Sequence, residues 1–102
     1  WFDGAKEFMD NAENLCSELD ELLSTMTASG YGNAEFVERL QKLSAAAGNL
    51  GMKDGKKLID NLTETLKSFQ AGTADEKSVS VRYTALEFYK NKIKDLGATE
   101  DL

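Results

Sequence analysis

The chain has 102 residues, 41% hydrophobic and 29% charged, with a net charge of −6, no histidine, no proline and one cysteine. That composition suits one folded domain and is too apolar for a disordered chain. The missing histidine removes the Glu-x-x-His pairs of di-iron bundles and histidine haem ligation, and one cysteine builds neither an internal disulfide nor a zinc site.

Trp1 to Met26 reads as one long helix. Trp1, Phe8, Leu15 and Leu22 recur every seven residues, as do Ala5, Ala12, Leu19 and Met26, with Phe2, Met9, Cys16 and Leu23 alongside. Three adjacent apolar rows make a stripe wide enough to pack against two or more partner helices. The polar positions of residues 1–26 hold seven acids and one base, so the whole excess charge lies on this helix. An acidic surface argues against nucleic-acid binding, which needs lysine and arginine facing phosphates. Cys16, in an apolar row, reads as a buried small hydrophobe.

The spacing ends this helix near Thr27–Ala28, before the turn cluster Ser29-Gly30-Tyr31-Gly32. Asn33 is the expected cap of a second helix carrying Phe36, Leu40, Leu43, Ala47 and Leu50, which frays from Gly48 to Gly51. Asp54 is the expected cap of a third, with Leu58, Ile59, Leu62, Leu66 and Phe69 on its apolar side and Gly72 as its stop. Thr73-Ala74-Asp75-Glu76 has the form of a capping box opening a fourth helix, striped by Val79, Leu86, Tyr89, Ile93 and Leu96 and closing at Gly97. Alternation over residues 78–83 resembles a short strand, but no second strand candidate exists to pair with it. The expected fold is all-α: an antiparallel up-down-up-down four-helix bundle over residues 1–97, with a flexible tail over residues 98–102.

No calcium loop, phosphate loop or catalytic triad is legible, and no apolar run is long enough to span a bilayer. The expectation is a non-enzyme without metal or cofactor, monomeric when free, that does not cross the membrane. In an up-down bundle one end gathers Lys6, Lys53, Lys56, Lys57, Lys90, Lys92 and Lys94. Lysines in the first turn of the third helix oppose its dipole, which suggests a docking role toward an acidic partner. Phe88 and Val81 at the edge of the fourth stripe, and Tyr31 in a turn, are candidate apolar contacts. Phe8, Phe36, Phe69 and Tyr89 read as core, and Arg82 as a side chain snorkelling from the apolar face.

The order and spacing of several segments resemble the PsbQ-like extrinsic proteins of photosystem II. They are Ala12-Glu13-Asn14-Leu15 through Leu19, Leu22-Leu23-Ser24-Thr25, Leu58-Ile59-Asp60-Asn61-Leu62, Tyr83 with Leu86, and Ile93-Lys94-Asp95-Leu96-Gly97. The resemblance implies a non-catalytic subunit in the chloroplast thylakoid lumen, bound to the photosystem II core and other extrinsic subunits and supporting the oxygen-evolving complex without ligating its metals. The chain is more acidic than plant members and lacks their proline-containing extension, as an algal-type relative would. The competing expectation is a stand-alone interaction module, such as a bacterial cytoplasmic immunity or secretion-partner bundle. The opening Trp1 reads as a processed or trimmed chain, and a bipartite presequence or an immediate start methionine distinguishes the two classes.

Overall fold

The computed structural model describes the backbone of residues 3–100 and the side chains of residues 11–95. Four helices, α1 (Asp3–Ser29), α2 (Glu35–Asn49), α3 (Lys53–Gln70) and α4 (Glu76–Glu100), make up the fold, with no strand among the described residues. They form a four-helix bundle measuring 52 × 23 × 19 Å. Each helix packs on two neighbours: α1 on α2 and α4, and α3 on α2 and α4. Among the described residues the α2–α3 seam is the most extensive.

The heptad rows of the first helix are the core wherever side chains are described. Ala12, Leu15, Cys16, Leu19, Leu22, Leu23 and Met26 are all buried. The rows from Trp1 to Met9, Phe8 among them, lie outside the described side chains, as do Lys6 and Leu96. The core continues through Phe36, Leu40, Leu43 and Ala47 of α2, Ile59, Leu62 and Leu66 of α3, and Val79 and Leu86 of α4. Burying each large side chain contributes roughly 1.5–3 kcal/mol, so this core is the main source of stability. Leu50, Leu58, Phe69, Tyr83, Tyr89 and Ile93 are half-buried around it.

The helix ends differ in detail from the pattern-based expectation. Asn33 does the capping chemistry for α2, its Oδ1 accepting the Glu35 amide at 2.9 Å. The second helix does not fray at Gly48. It continues to Asn49 and stops in a reverse turn in which Met52 N–H bonds the Ala47 carbonyl and Gly51 N–H the Gly48 carbonyl. Gly51, at φ +76°, is the residue that permits this turn. Gly72, at φ +84°, closes α3 by the same paired bonds, Thr73 N–H to Ser68 and Gly72 N–H to Phe69.

Asp54 does not cap α3, because the helix begins one residue earlier, at Lys53, and Asp54 sits inside the first turn. No side chain caps it, and the Tyr89 ring of α4 packs closely over Gly55 in that first turn. At the start of α4 the expected Thr73–Glu76 capping box does not form, and Asp75 caps the helix alone. Asp75 Oδ1 accepts from Ser78 N–H at 2.9 Å and from Ser78 Oγ at 2.8 Å, while Thr73 Oγ1 turns back to the Ser68 carbonyl. Helix α4 also runs through Gly97, which falls in its last turn, to Glu100, so that glycine does not end the helix.

Candidate functional site

Among the described residues every buried polar side-chain atom has a hydrogen-bond partner, so chemistry has to be sought in the charged clusters and on the surface. The lysines do not form one array. Lys90 is only 5% exposed: its Nζ donates to Asp20 Oδ1 at 2.6 Å, and Lys94 Nζ donates to Asp20 Oδ2 at 2.9 Å. Two lysines one turn apart on α4 thus clamp a single α1 carboxylate. The bonds from Lys90 and then Lys94 hold the Asp20 carboxyl below its ordinary value. Lys90 is therefore not presented to a partner, because its ammonium is turned into the α1–α4 seam. Its position between Leu86 and Ile93 on the apolar stripe was the sequence signal for that burial.

Lys56 is also engaged. Its Nζ donates to Ser44 Oγ at 3.0 Å and to Asp60 Oδ2 at 3.3 Å, and its aliphatic stem lies over Gly48. Ser44, Lys56 and Asp60 bring a hydroxyl, an amine and a carboxylate together, as a serine–lysine hydrolase does. The geometry here is that of a structural link between α2 and α3. Ser44 is buried and its proton points at Asp60 Oδ1, so neither a basic amine nor an open face is directed at a substrate. Lys53, Lys57 and Lys92 are exposed, with no ion-pair partner among the described residues.

Cys16 is buried near the Asp20–Lys90–Lys94 clamp. Burial raises its thiol above the ordinary value, against the opposing pull of Lys94 and Lys90, which favours the protonated form. Tyr31 is half-buried. Its ring meets Phe69 edge-on at 6.1 Å and Tyr83 at 6.4 Å, and Gln70 Nε2 donates to its carbonyl at 3.1 Å. These contacts tie the α1–α2 connection to the ends of α3 and α4.

Helix α4 also carries a surface. Val81 and Phe88 are 61% and 70% exposed, the large hydrophobic side chains that the described surface leaves in water. Lys77, Val81, Ala85, Phe88 and Lys92 recur at four- and three-residue steps, so all five share one exposed face. Arg82 is not on the apolar face: Tyr83 takes the inward position, its hydroxyl donating to the Leu23 carbonyl at 3.1 Å. Arg82 instead joins Val81, Glu64, Thr65, Ser68, Thr73, Ala74 and Ser78 around an open cleft of about 560 Å³ between α3 and α4. The weak amphipathicity of α4 has this origin: a lysine faces in while a valine and a phenylalanine face out.

No group of three or more metal-binding side chains occurs among the described residues, and no described helix is long and apolar enough to cross a membrane. Among the sequence-derived candidates, Lys90, Lys94 and Lys56 serve the helix seams and Tyr31 the end of the bundle, while Phe88 and Lys92 share the outer face of α4. Lys77 was missed by pattern reading because a lone lysine in a first turn looks like any solvated side chain. No protein-family model, curated protein or solved structure matches the chain.

Proposed function

We propose that this protein is a non-catalytic docking subunit, an up-down-up-down bundle that presents the outer face of α4 to a protein partner. The antiparallel course is supported by cross-helix pairs whose numbers rise on one helix as they fall on the other: Asp20 with Lys90 and Thr27 with Tyr83, then Ser44 with Asp60 and Gly48 with Lys56. The docking role rests on one observation. In a bundle whose described core is otherwise closed, Val81 and Phe88 are held in water on a rigid helix.

The partner that the sequence resemblance implies is the lumenal side of photosystem II, where the chain would support the oxygen-evolving complex without touching its metals. That assignment rests on the order and spacing of the helical segments alone. Tagged protein incubated with thylakoid membranes at low and high salt provides the test. Recovery of photosystem II core subunits at low salt, lost at high salt and lost with Phe88→Ser, is the expected result. Failure to recover the core at low salt contradicts the photosystem assignment, and core recovery indifferent to Phe88→Ser contradicts the docking face.

A further inference from the structure

On the docking reading of α4, we propose that the occupant of this face is an acidic amphipathic helix of another protein, held at its apolar centre by Val81 and Phe88 and at its two ends by Lys77 and Lys92. The face is symmetric in its chemistry. Lys77 precedes Val81 by one turn and Lys92 follows Phe88 by one turn, so two cations bracket an apolar centre. All four residues are exposed. The two lysines lie fifteen residues apart, about 22 Å along the helix axis, and the apolar pair seven apart, about 10 Å. A matching helix carries carboxylates about four turns apart with apolar side chains between them. Val81 also borders the α3–α4 cleft, whose rim adds Arg82 as a third cation, although Glu64 on the same rim offsets part of its field. Asp95, one turn beyond Lys92, is already engaged in an interaction of its own.

Charge disfavours the simplest alternative, a second copy of this chain. Packed antiparallel on itself about its centre, the α4 face sets Lys77 against Lys92 of the other copy at both ends; packed parallel, it sets each lysine against its own equivalent. Either arrangement opposes like charges across a desolvating contact. The acidic outer surface of α1 does not supply the missing half either. Its described exposed positions, among them Glu13, Glu18 and Glu21, include no large apolar side chain to meet Phe88. A heterologous acidic helix satisfies both the apolar centre and the cationic ends.

Two fluorescein-labelled helical peptides of about 18 residues test this, sharing one Leu-Ala-Leu stripe and bearing either Glu or Lys at the flanking positions. Anisotropy titrations of the intact chain are expected to show the Glu peptide binding at least about tenfold more tightly than the Lys peptide. The preference should shrink with salt, collapse in Phe88→Ala, and invert in the Lys77→Glu/Lys92→Glu double variant. These positions are exposed, and an unchanged circular dichroism melt establishes that each variant is folded. Equal binding of the two peptides, or full binding by Phe88→Ala, overturns the proposal. So does concentration-dependent dimerisation in sedimentation velocity that Phe88→Ala abolishes, since the occupant is then a second copy. If the membrane capture described above depends on Phe88 while the Glu peptide fails to bind, the acidic-helix assignment falls and the docking face stands. If that capture is indifferent to Phe88, the docking face itself falls.

Discussion

Lys90 is the residue whose placement most changes the reading of this chain. A buried ammonium is tolerable only when a carboxylate meets it, and Asp20 does so while also holding Lys94. Asp20→Asn should therefore destabilise the fold by about 2 kcal/mol in urea denaturation, less than a fully enclosed pair because Asp20 keeps a wetted flank. A loss indistinguishable from zero would mean that the clamp is idle. The pH dependence has a definite sign. The Asp20 carboxyl titrates below its ordinary value in the folded state, so its contribution is complete above the unfolded carboxylate value. It fades as pH falls through the lower, folded value. Stability should therefore drop on acidification below about pH 4, with a shallower drop in Asp20→Asn. Gly55 supplies a second residue-scale test. A Cβ there would lie 2.9 Å from Cε1 of the Tyr89 ring, so Gly55→Ala should cost about 1–3 kcal/mol despite the better helix propensity of alanine. Thermal melts of the same substitution in a Tyr89→Leu background should recover much of that loss.

At the scale of elements, periodicity carried the argument well and end chemistry carried it less well. The apolar rows of α1 and the stripes of α2 and α3 were legible because one buried face on a 3.6-residue helix leaves an unmistakable spacing. The caps were less legible, because each depends on where backbone N–H groups become free, and a one-residue shift changes which side chain reaches them. Asp54 illustrates this: with α3 starting at Lys53 it falls inside the first turn, where the Tyr89 ring of α4 packs over Gly55, a long-range contact invisible to local pattern. Gly72 was legible, since a helix stop followed by a new helix start calls for a left-handed residue. Gly72→Ala should destabilise by about 1 kcal/mol, read as a lowered urea midpoint with an unchanged slope, because only glycine occupies φ +84° without a Cβ clash. Helix α4 was the least legible element. Its stripe contains a lysine whose partner lies seventy residues away, while Val81 and Phe88, which the spacing places at the edge of that stripe, stand in water.

At the scale of the whole molecule, the bundle separates its charges. Acids dominate the outer face of α1, whereas α4 offers an apolar centre between lysines. The sequence made the lysine-rich end look like the docking surface. The fold ties Lys56, Lys90 and Lys94 into its seams and leaves Phe88, Lys92, Val81 and Lys77 outward. Charge reversal at Lys53 and Lys57 should accordingly weaken partner capture only through the general salt-dependent field, by less than about threefold, while Phe88→Ser abolishes it in the same pull-down. The central claim, that α4 presents the binding face, is tested most directly by an amide-resolved NMR titration of the intact chain with the Glu-flanked peptide. Shifts concentrated at residues 77–92 on the exposed side of α4 and at the neighbouring cleft residues Thr65 and Ser68 are the expected result. Shifts centred instead on α1, or at Lys53 and Lys57, with α4 silent, would contradict it.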